Sequence, residues 1–243
     1  MTASASASAS AALPNALPLY VQISEMLIRE IMAGRLIDGE RLPPEREMAA
    51  SLDIAVGTLR KALSDLEGKG LLDRVQGSGN YVRHRPEVPS LYAMFRLELA
   101  QGGGLPTAEI LSVDRLPKPE GAPGFGPAPD AHRIRRLRHL SGQPVAVEEI
   151  WLDGARALRL GADDLSESLY HAYRTRLGFW IARAEDRVAV APAPDWAPAA
   201  FGPRPGAPCG HVERTAWAQD GAPCEFSRTW FDPDRARYVQ RLR

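Results

Sequence analysis

The first strong hydrophobic periodicity begins after a run of alanine and serine. In "LPLYVQISEMLIREIMAGRL", Ile23, Leu27, Ile28 and Ile31 recur at the three- and four-residue spacing that shares one helix face, and Gly34 ends the pattern. A second helix is predicted from Pro44 and Glu45, because proline's missing N–H costs nothing in a first turn and an acid suits the positive helix end. A third runs over 56–69, with Leu59, Ala62, Leu63 and Leu66 as its buried stripe and Gly70 as its stop. "LLDRVQGSGNYVR" then reads as two short strands about a Gly-Ser-Gly turn. Three short helices and a hairpin predict a winged helix-turn-helix over 18–84. Ahead of it, 1–17 reads as an Ala/Ser-rich disordered tail.

The pattern changes after a linker at 85–90, where Pro86 and Pro89 prevent helix continuation. Over 91–243 short extended runs dominate, among them "EILSVDRL", "HRIRRLRHL", "PVAVEEIWL", "RAEDRVAVA" and "PCEFSRTWF". Hairpin turns are predicted at Ser141-Gly142 and Asp220-Gly221. Between them "DLSESLYHAYRTRL" predicts one helix capped by Ser166 or Asp164. Strands with scattered helices and no regular βαβ alternation indicate an antiparallel α+β domain.

Composition narrows the function classes. The 243 residues are 44% hydrophobic and 25% charged, ordinary for a soluble globular chain. No stretch approaches the ~18 apolar residues needed to span a bilayer. The Ala/Ser run lacks the basic start and apolar centre of a leader, so a cytoplasmic protein with no membrane partner is expected. Formal net charge is zero, and 18–85 carries ten Lys/Arg against ten Asp/Glu, so any attraction to DNA must come from local placement. Arg74, Arg83 and Arg85, with no acid after Asp73, are the best local basic run.

Catalytic chemistry is not in view. His132, His139, His171 and His211 are scattered without a partner motif, and no nucleophile–base pair, metal-ligand spacing or phosphate loop is visible. No catalytic residue, metal or cofactor is expected. Cys209 and Cys224 suit neither a metal site nor a disulfide; a tight turn at Asp220-Gly221 sets Cys224 opposite Trp217, and both thiols are expected free. The five tryptophans read as core.

In a helix-turn-helix the second helix of the motif buries its rear stripe and offers its first residues to base edges. With Leu59, Leu63 and Leu66 inward, the 56–69 helix leaves Gly57, Thr58, Arg60, Lys61 and Ser64 outward. Arg60 can grip a guanine edge or a phosphate, and Thr58 a phosphate or a thymine methyl. Arg46, on the preceding helix, is placed to reach the duplex. The whole stretch from Leu19 to Val82 closely resembles the GntR family of bacterial regulators, through "PLYVQI", "IMAGRLIDGERLPPEREMA", "GTLRKALSDLEGKGLL" and "RVQGSGNYV". The resemblance implies DNA contacts at Arg46, Thr58, Arg60, Gln76 and Gly77, with Val56 and Gly57 in the same reading turn. Many members carry arginine where this chain has Val56, which implies an operator unlike the commonest family sites.

From about Ser90 to Val239 the chain is similar to the UTRA effector domain of the HutC-type branch, anchored on "IRRLRHLSGQPVAVEE", "SLYHAY", "IARAED" and "GAPCEFSRTWFDPDRARY". The implied fold is that of chorismate lyase, an antiparallel sheet with helices enclosing a small-molecule cleft. Arg136 and Arg138 alternate onto one strand face and offer forked donors to an anion. The resemblance adds Glu148, Ser168, Tyr170 and Glu225. The plain alternative is that the arginines pair with surface acids, Ser168 caps a helix and Tyr170 is a core ring.

Register is open at one point. A strict two-residue turn at Ser141-Gly142 puts Glu149 on the arginine face, whereas a bulge or a longer loop puts Glu148 there, the choice the resemblance favours. Phe231 stands where the family often has tyrosine. Met94 and Arg96 flank Phe95 where sugar-phosphate-binding members carry serine and threonine. The effector implied is a small anionic metabolite other than a hexosamine phosphate. The family further implies a repressor acting as a homodimer on an inverted-repeat operator in double-stranded DNA. A lyase built from the arginine pair and a glutamate is the competing reading, and turnover of chorismate-like acids would reveal it.

Overall fold

The computed structural model describes residues 17–85, 90, 92 and 94–241. The expected tail up to residue 16 and the linker prolines Pro86 and Pro89 lie outside the described residues. Leu17, expected in the tail, is buried, and its carbonyl accepts from Gln22 Nε2 at 2.7 Å.

Helices α1 (Leu19–Met32), α2 (Glu45–Ser51) and α3 (Val56–Gly68) pack their apolar stripes into one core. Ile23, Leu27, Ile28 and Ile31 of α1 meet Leu59, Ala62, Leu63 and Leu66 of α3 there. Gly70 turns the chain out of α3 at φ +70, a conformation that side chains with a Cβ rarely adopt. Strands β1 (Leu72–Val75) and β2 (Gly79–Val82) then form the hairpin, antiparallel with Leu72 opposite Val82. Leu71, Leu72 and Val82 anchor its base in the helical core, leaving the tip exposed.

The larger part is a six-stranded antiparallel sheet in the order β4-β5-β6-β9-β8-β7. Its members are β4 (Pro106–Pro117), β5 (Asp130–Leu140), β6 (Gln143–Asp153), β7 (Ile181–Pro192), β8 (Pro208–Ala218) and β9 (Pro223–Phe231). Two short strands, β3 (Leu97–Leu99) and β10 (Ala236–Tyr238), pair with each other and cover one end of one face. Edge strand β4 begins and ends in proline and carries a bulge between Ile110 and Ser112.

The β5–β6 hairpin resolves the register. Ser141 (φ 49) and Gly142 (φ 77) form a two-residue turn, with Leu140 opposite Gln143. A bulge between Arg138 and His139 then shifts the pairing, so Arg136 faces Glu148 and Arg135 faces Glu149. The β8–β9 hairpin departs from expectation. Ala218 N donates to Ala222 O at 3.0 Å, making the loop three residues long and setting Pro223 opposite Trp217; a bulge at Cys224 then sets Ala216 opposite Glu225. Cys224 is therefore not the partner of Trp217; it is buried and free, as is Cys209.

The predicted 164–177 helix is broken up. Ala162–Asp164 forms a 3-10 turn, the chain runs extended to Ser168, and only Leu169–Ala172 is α-helical (α4) before a wide turn over Tyr173–Leu177. Neither Ser166 nor Asp164 caps α4. Ser168 does, its Oγ accepting from His171 N at 3.4 Å. The extended piece leaves the Glu167 carbonyl outside any helix ladder, where it accepts from Arg136 and Arg138 at 3.2 and 3.3 Å. Trp151 and Trp230 are core residues, but Trp180 is half exposed and Trp217 carries the Arg183 guanidinium 3.7 Å above its ring. No helix among the described residues is long and apolar enough to cross a membrane.

Candidate effector cavity and DNA-reading face

Strand alternation builds the cavity. Arg136 and Arg138 project from one face of β5, Glu148 and Ile150 from β6, and Glu225, Ser227 and Thr229 from β9, all toward the same side of the sheet. Segment 94–97, α4 and Tyr238 of β10 close the other side, giving a cavity of about 740 Å³ with its open mouth included.

Buried ions organise its floor. Arg136 Nη2 donates to Glu148 Oε2 at 2.6 Å, and Arg138 Nη2 reaches the same oxygen at 3.2 Å. Burial by itself would raise the Glu148 pKa; the two guanidinium groups outweigh it and hold the carboxyl below its ordinary value. Burial lowers the Arg138 pKa, with Glu148 opposing. One carboxylate faces two guanidiniums, so the triad keeps a net positive charge. The Nε atoms of both arginines are buried without a hydrogen-bond partner. A buried donor without a partner is costly, so these two arginines are not fully satisfied by the protein itself.

Farther along, Tyr173 and Tyr170 donate to the two oxygens of Glu225 at 2.7 and 3.1 Å. Burial raises the Glu225 pKa, and the tyrosine hydrogen bonds offset only part of it. Arg214 lies near, held by Asp186 at 2.5 and 2.6 Å and donating to Met94 O at 2.7 Å.

Arg96, Arg136, Arg138, Glu148, Ser168, Tyr170 and Glu225 thus all line one cavity. Phe231 does not. It shares their sheet face but lies beyond Thr229, where β3 and β10 cover the sheet, and packs with Leu97, Leu140 and Val212 as core. Tyr92, Arg214 and Thr229 were missed. The β8–β9 pairing carries the signal for Arg214, which faces Ser227, two residues from Glu225.

On the other domain, Arg46 is exposed on α2, and Val56, Gly57, Thr58 and Arg60 follow one another through the first turns of α3. Gln76 and Gly77 are exposed at the hairpin tip, where Gly77 has φ +76. Ala55 supplies no side-chain cap to α3, and its first turn holds no acid, so that helix end suits a phosphate. Arg60 Nε donates to Glu45 Oε2 at 2.6 Å, a contact sequence reading did not foresee. The bond takes Nε and leaves the terminal nitrogens of the fork for a base or phosphate. Arg83 pairs with Asp73 and Arg74 with Glu67, so the basic run is largely compensated.

Comparison with known proteins bears on both halves. Residues 19–82 match the model of the bacterial regulatory proteins of the gntR family, and 101–237, more than half the chain, match that of the UTRA domain. The chain belongs to the GntR family and carries a UTRA domain. It is 58% identical to the HTH-type transcriptional regulator SmoD of Agrobacterium fabrum, over 93% of this chain and 97% of that one. It is 28% identical to the HTH-type transcriptional repressor NagR of Bacillus subtilis, over 92% and 94%. Its fold is shared with the solved structure of the possible transcriptional regulator YydK from Bacillus subtilis, at 22% identity and a TM-score of 0.53, covering 93% of this chain and all of that one. This GntR-family chain is a transcription regulator and not an enzyme, which removes the lyase reading of its arginine–glutamate cluster.

Proposed function

We propose that the protein is a homodimeric repressor that binds an inverted-repeat operator and is controlled by a small anionic metabolite held in the UTRA cavity. One observation carries the effector class: two buried arginines share a single carboxylate on the cavity floor and keep unmet Nε donors. A carboxylate, phosphate or similar head group satisfies guanidinium donors in pairs. Glu225, with Tyr170 beside it, suits hydroxyl or amine groups on the remainder of the ligand. Arg96, where sugar-phosphate-binding relatives have a small hydroxyl residue, adds a further cation at the wall.

Arg46, Thr58, Arg60, Gln76 and Gly77 read the operator, with Val56 giving an apolar contact in place of a base-reading arginine. A dimer sets two such faces about one helical turn apart, ~34–36 Å, so the operator is an inverted repeat. The repressor sign is supported by the relative NagR, which bears that description. Selection of bound sites from a random duplex pool tests the reading: an enriched inverted repeat is expected, and small anionic metabolites are then screened for release. A folded protein that enriches no site, with or without a metabolite pool, would overturn it.

A further inference from the structure

The dimer proposed above needs a surface, and the sheet points to one. Across five strands the face opposite the cavity carries a row of alternating charge: Arg135 of β5 faces Glu149 of β6, which faces Arg228 of β9, which faces Glu213 of β8, which faces Arg187 of β7. Arg135–Glu149 and Arg228–Glu213 are ion pairs at 2.7 and 3.2 Å. Opposite charges facing each other across strands stabilise a sheet, so the row defines which charge suits the next strand. Strand β7 is an edge, and there the row ends on an arginine. Arg187 turns back onto Glu185 of its own strand, with the side chains 79% and 51% exposed. Val188 and Val190 on the same strand are also exposed, at 54% and 75%. A long edge with exposed valines and open main-chain donors and acceptors is a template for another strand.

We propose that β7 pairs antiparallel with β7 of a second copy about a two-fold axis at Asp186, joining the two sheets into one. In that register Arg187 of each copy faces Glu185 of the other, and Val188 faces Ala184. The charge row then continues unbroken across the axis. Shifting the axis by one residue either way sets Arg187 against Arg187, or Glu185 against Glu185, and like charges directly opposite are unfavourable. Of these three registers, the one centred on Asp186 is the one that sets Arg187 against Glu185. The two Asp186 side chains approach on the cavity face, where each is already neutralised by Arg214 and accepts from Tyr238 at 2.7 Å. Because Arg214 lines the cavity, dimer strand and effector site share an ion pair.

The full-length chain tests this by sedimentation velocity over a concentration series. Arg187→Glu and Glu185→Arg should each weaken self-association roughly tenfold or more, since two attractions become two repulsions. The double exchange E185R/R187E should restore it, and mixing the two single variants should give a heterodimer. A chain carrying Ala184→Cys and Val188→Cys should form a disulfide-linked dimer on oxidation; those positions are too far apart along one strand to bridge within a chain. A dimer unmoved by either charge reversal, and no cross-link, would show that another face pairs and would sink this proposal while leaving the dimer intact. A wild-type chain that is monomeric while bound to its operator would overturn the dimer reading itself.

Discussion

Arg29 on α1 holds its guanidinium carbon 4.9 Å from the ring centroid of Phe95 in the cavity wall. Arg138 of the cavity floor lies 4.8 Å from the same centroid. Arg29 Nη2 also donates to Leu97 O at 2.7 Å, and burial lowers its pKa to about 10, so it stays charged at neutral pH. One aromatic ring therefore touches a cation from the helix-turn-helix domain and a cation from the floor of the candidate effector cavity. Arg29→Met should leave effector affinity within about threefold, because Arg29 is not part of the cavity lining. The factor by which effector changes operator affinity should shrink, out of a coupling that is ordinarily ~1–3 kcal/mol. Operator titrations with and without effector measure that factor, and an unchanged factor would show that coupling runs elsewhere.

Glu148 is the lone carboxylate between Arg136 and Arg138. Glu148→Gln leaves two buried cations facing each other, and breaking a buried ion pair on one side costs about 3–5 kcal/mol. Urea unfolding should show that loss. Effector binding should weaken less than stability does, since the arginines gain an open partner. Equal stability of variant and wild type would mean that the triad is hydrated, contrary to its burial.

Glu225 predicts a pH dependence of opposite sign to that of most native carboxyls. Its folded pKa is raised, so the folded state binds its proton more tightly than the unfolded chain does. Its contribution is greatest below the unfolded value, about 4.3, and is lost as pH rises through the raised folded value. Glu225→Gln should flatten that decline in a pH series of unfolding midpoints. Persistence of the same decline would place its origin in another group.

Arg60 and Glu45 predict a graded loss at the operator. Arg60→Ala should cost ~1–3 kcal/mol of specific affinity if the fork reads a guanine edge. Glu45→Gln should cost less, since it removes only the anchor at Nε, and the loss should fall on discrimination between sites more than on non-specific binding. Competition titrations with operator and scrambled duplex separate the two. An equal loss on both duplexes would make Arg60 a phosphate contact.

How far residue order revealed these features depended on whether the determinant was local. The three-helix head was legible because its apolar stripes, its Pro44 start and its Gly70 stop each act within one or two turns. Glu148 against Glu149 was not decided by residue spacing, since a single bulge at Arg138 and His139 moves every later side chain to the other face. The segment before α4 defeated helix periodicity for a tertiary reason: two arginines from β5 claim the Glu167 carbonyl, which a helix would have bonded internally. Arg214 and Asp186 come together across β7 and β8, a pairing that no local motif announces. Arg60 was readable as an outward side chain, but the Glu45 bond that orients it was not.

The two margins of the large sheet are unlike. On β4, Pro106 and Pro117 stand at the ends and a bulge interrupts the middle, so that margin offers a poor template for further strands. β7 is equally long, but its terminal Pro192 and its bulge between Ile181 and Arg183 both lie away from Asp186, so in the proposed pairing its middle takes a copy of itself. A self-matching contact about a two-fold axis uses up both participants at once, whereas head-to-tail contact between unlike margins would add copies without limit. With β7 paired as proposed, growth through this sheet halts at a pair, and the prolines and bulge of β4 stand against a concentrated solution of the regulator becoming a fibre.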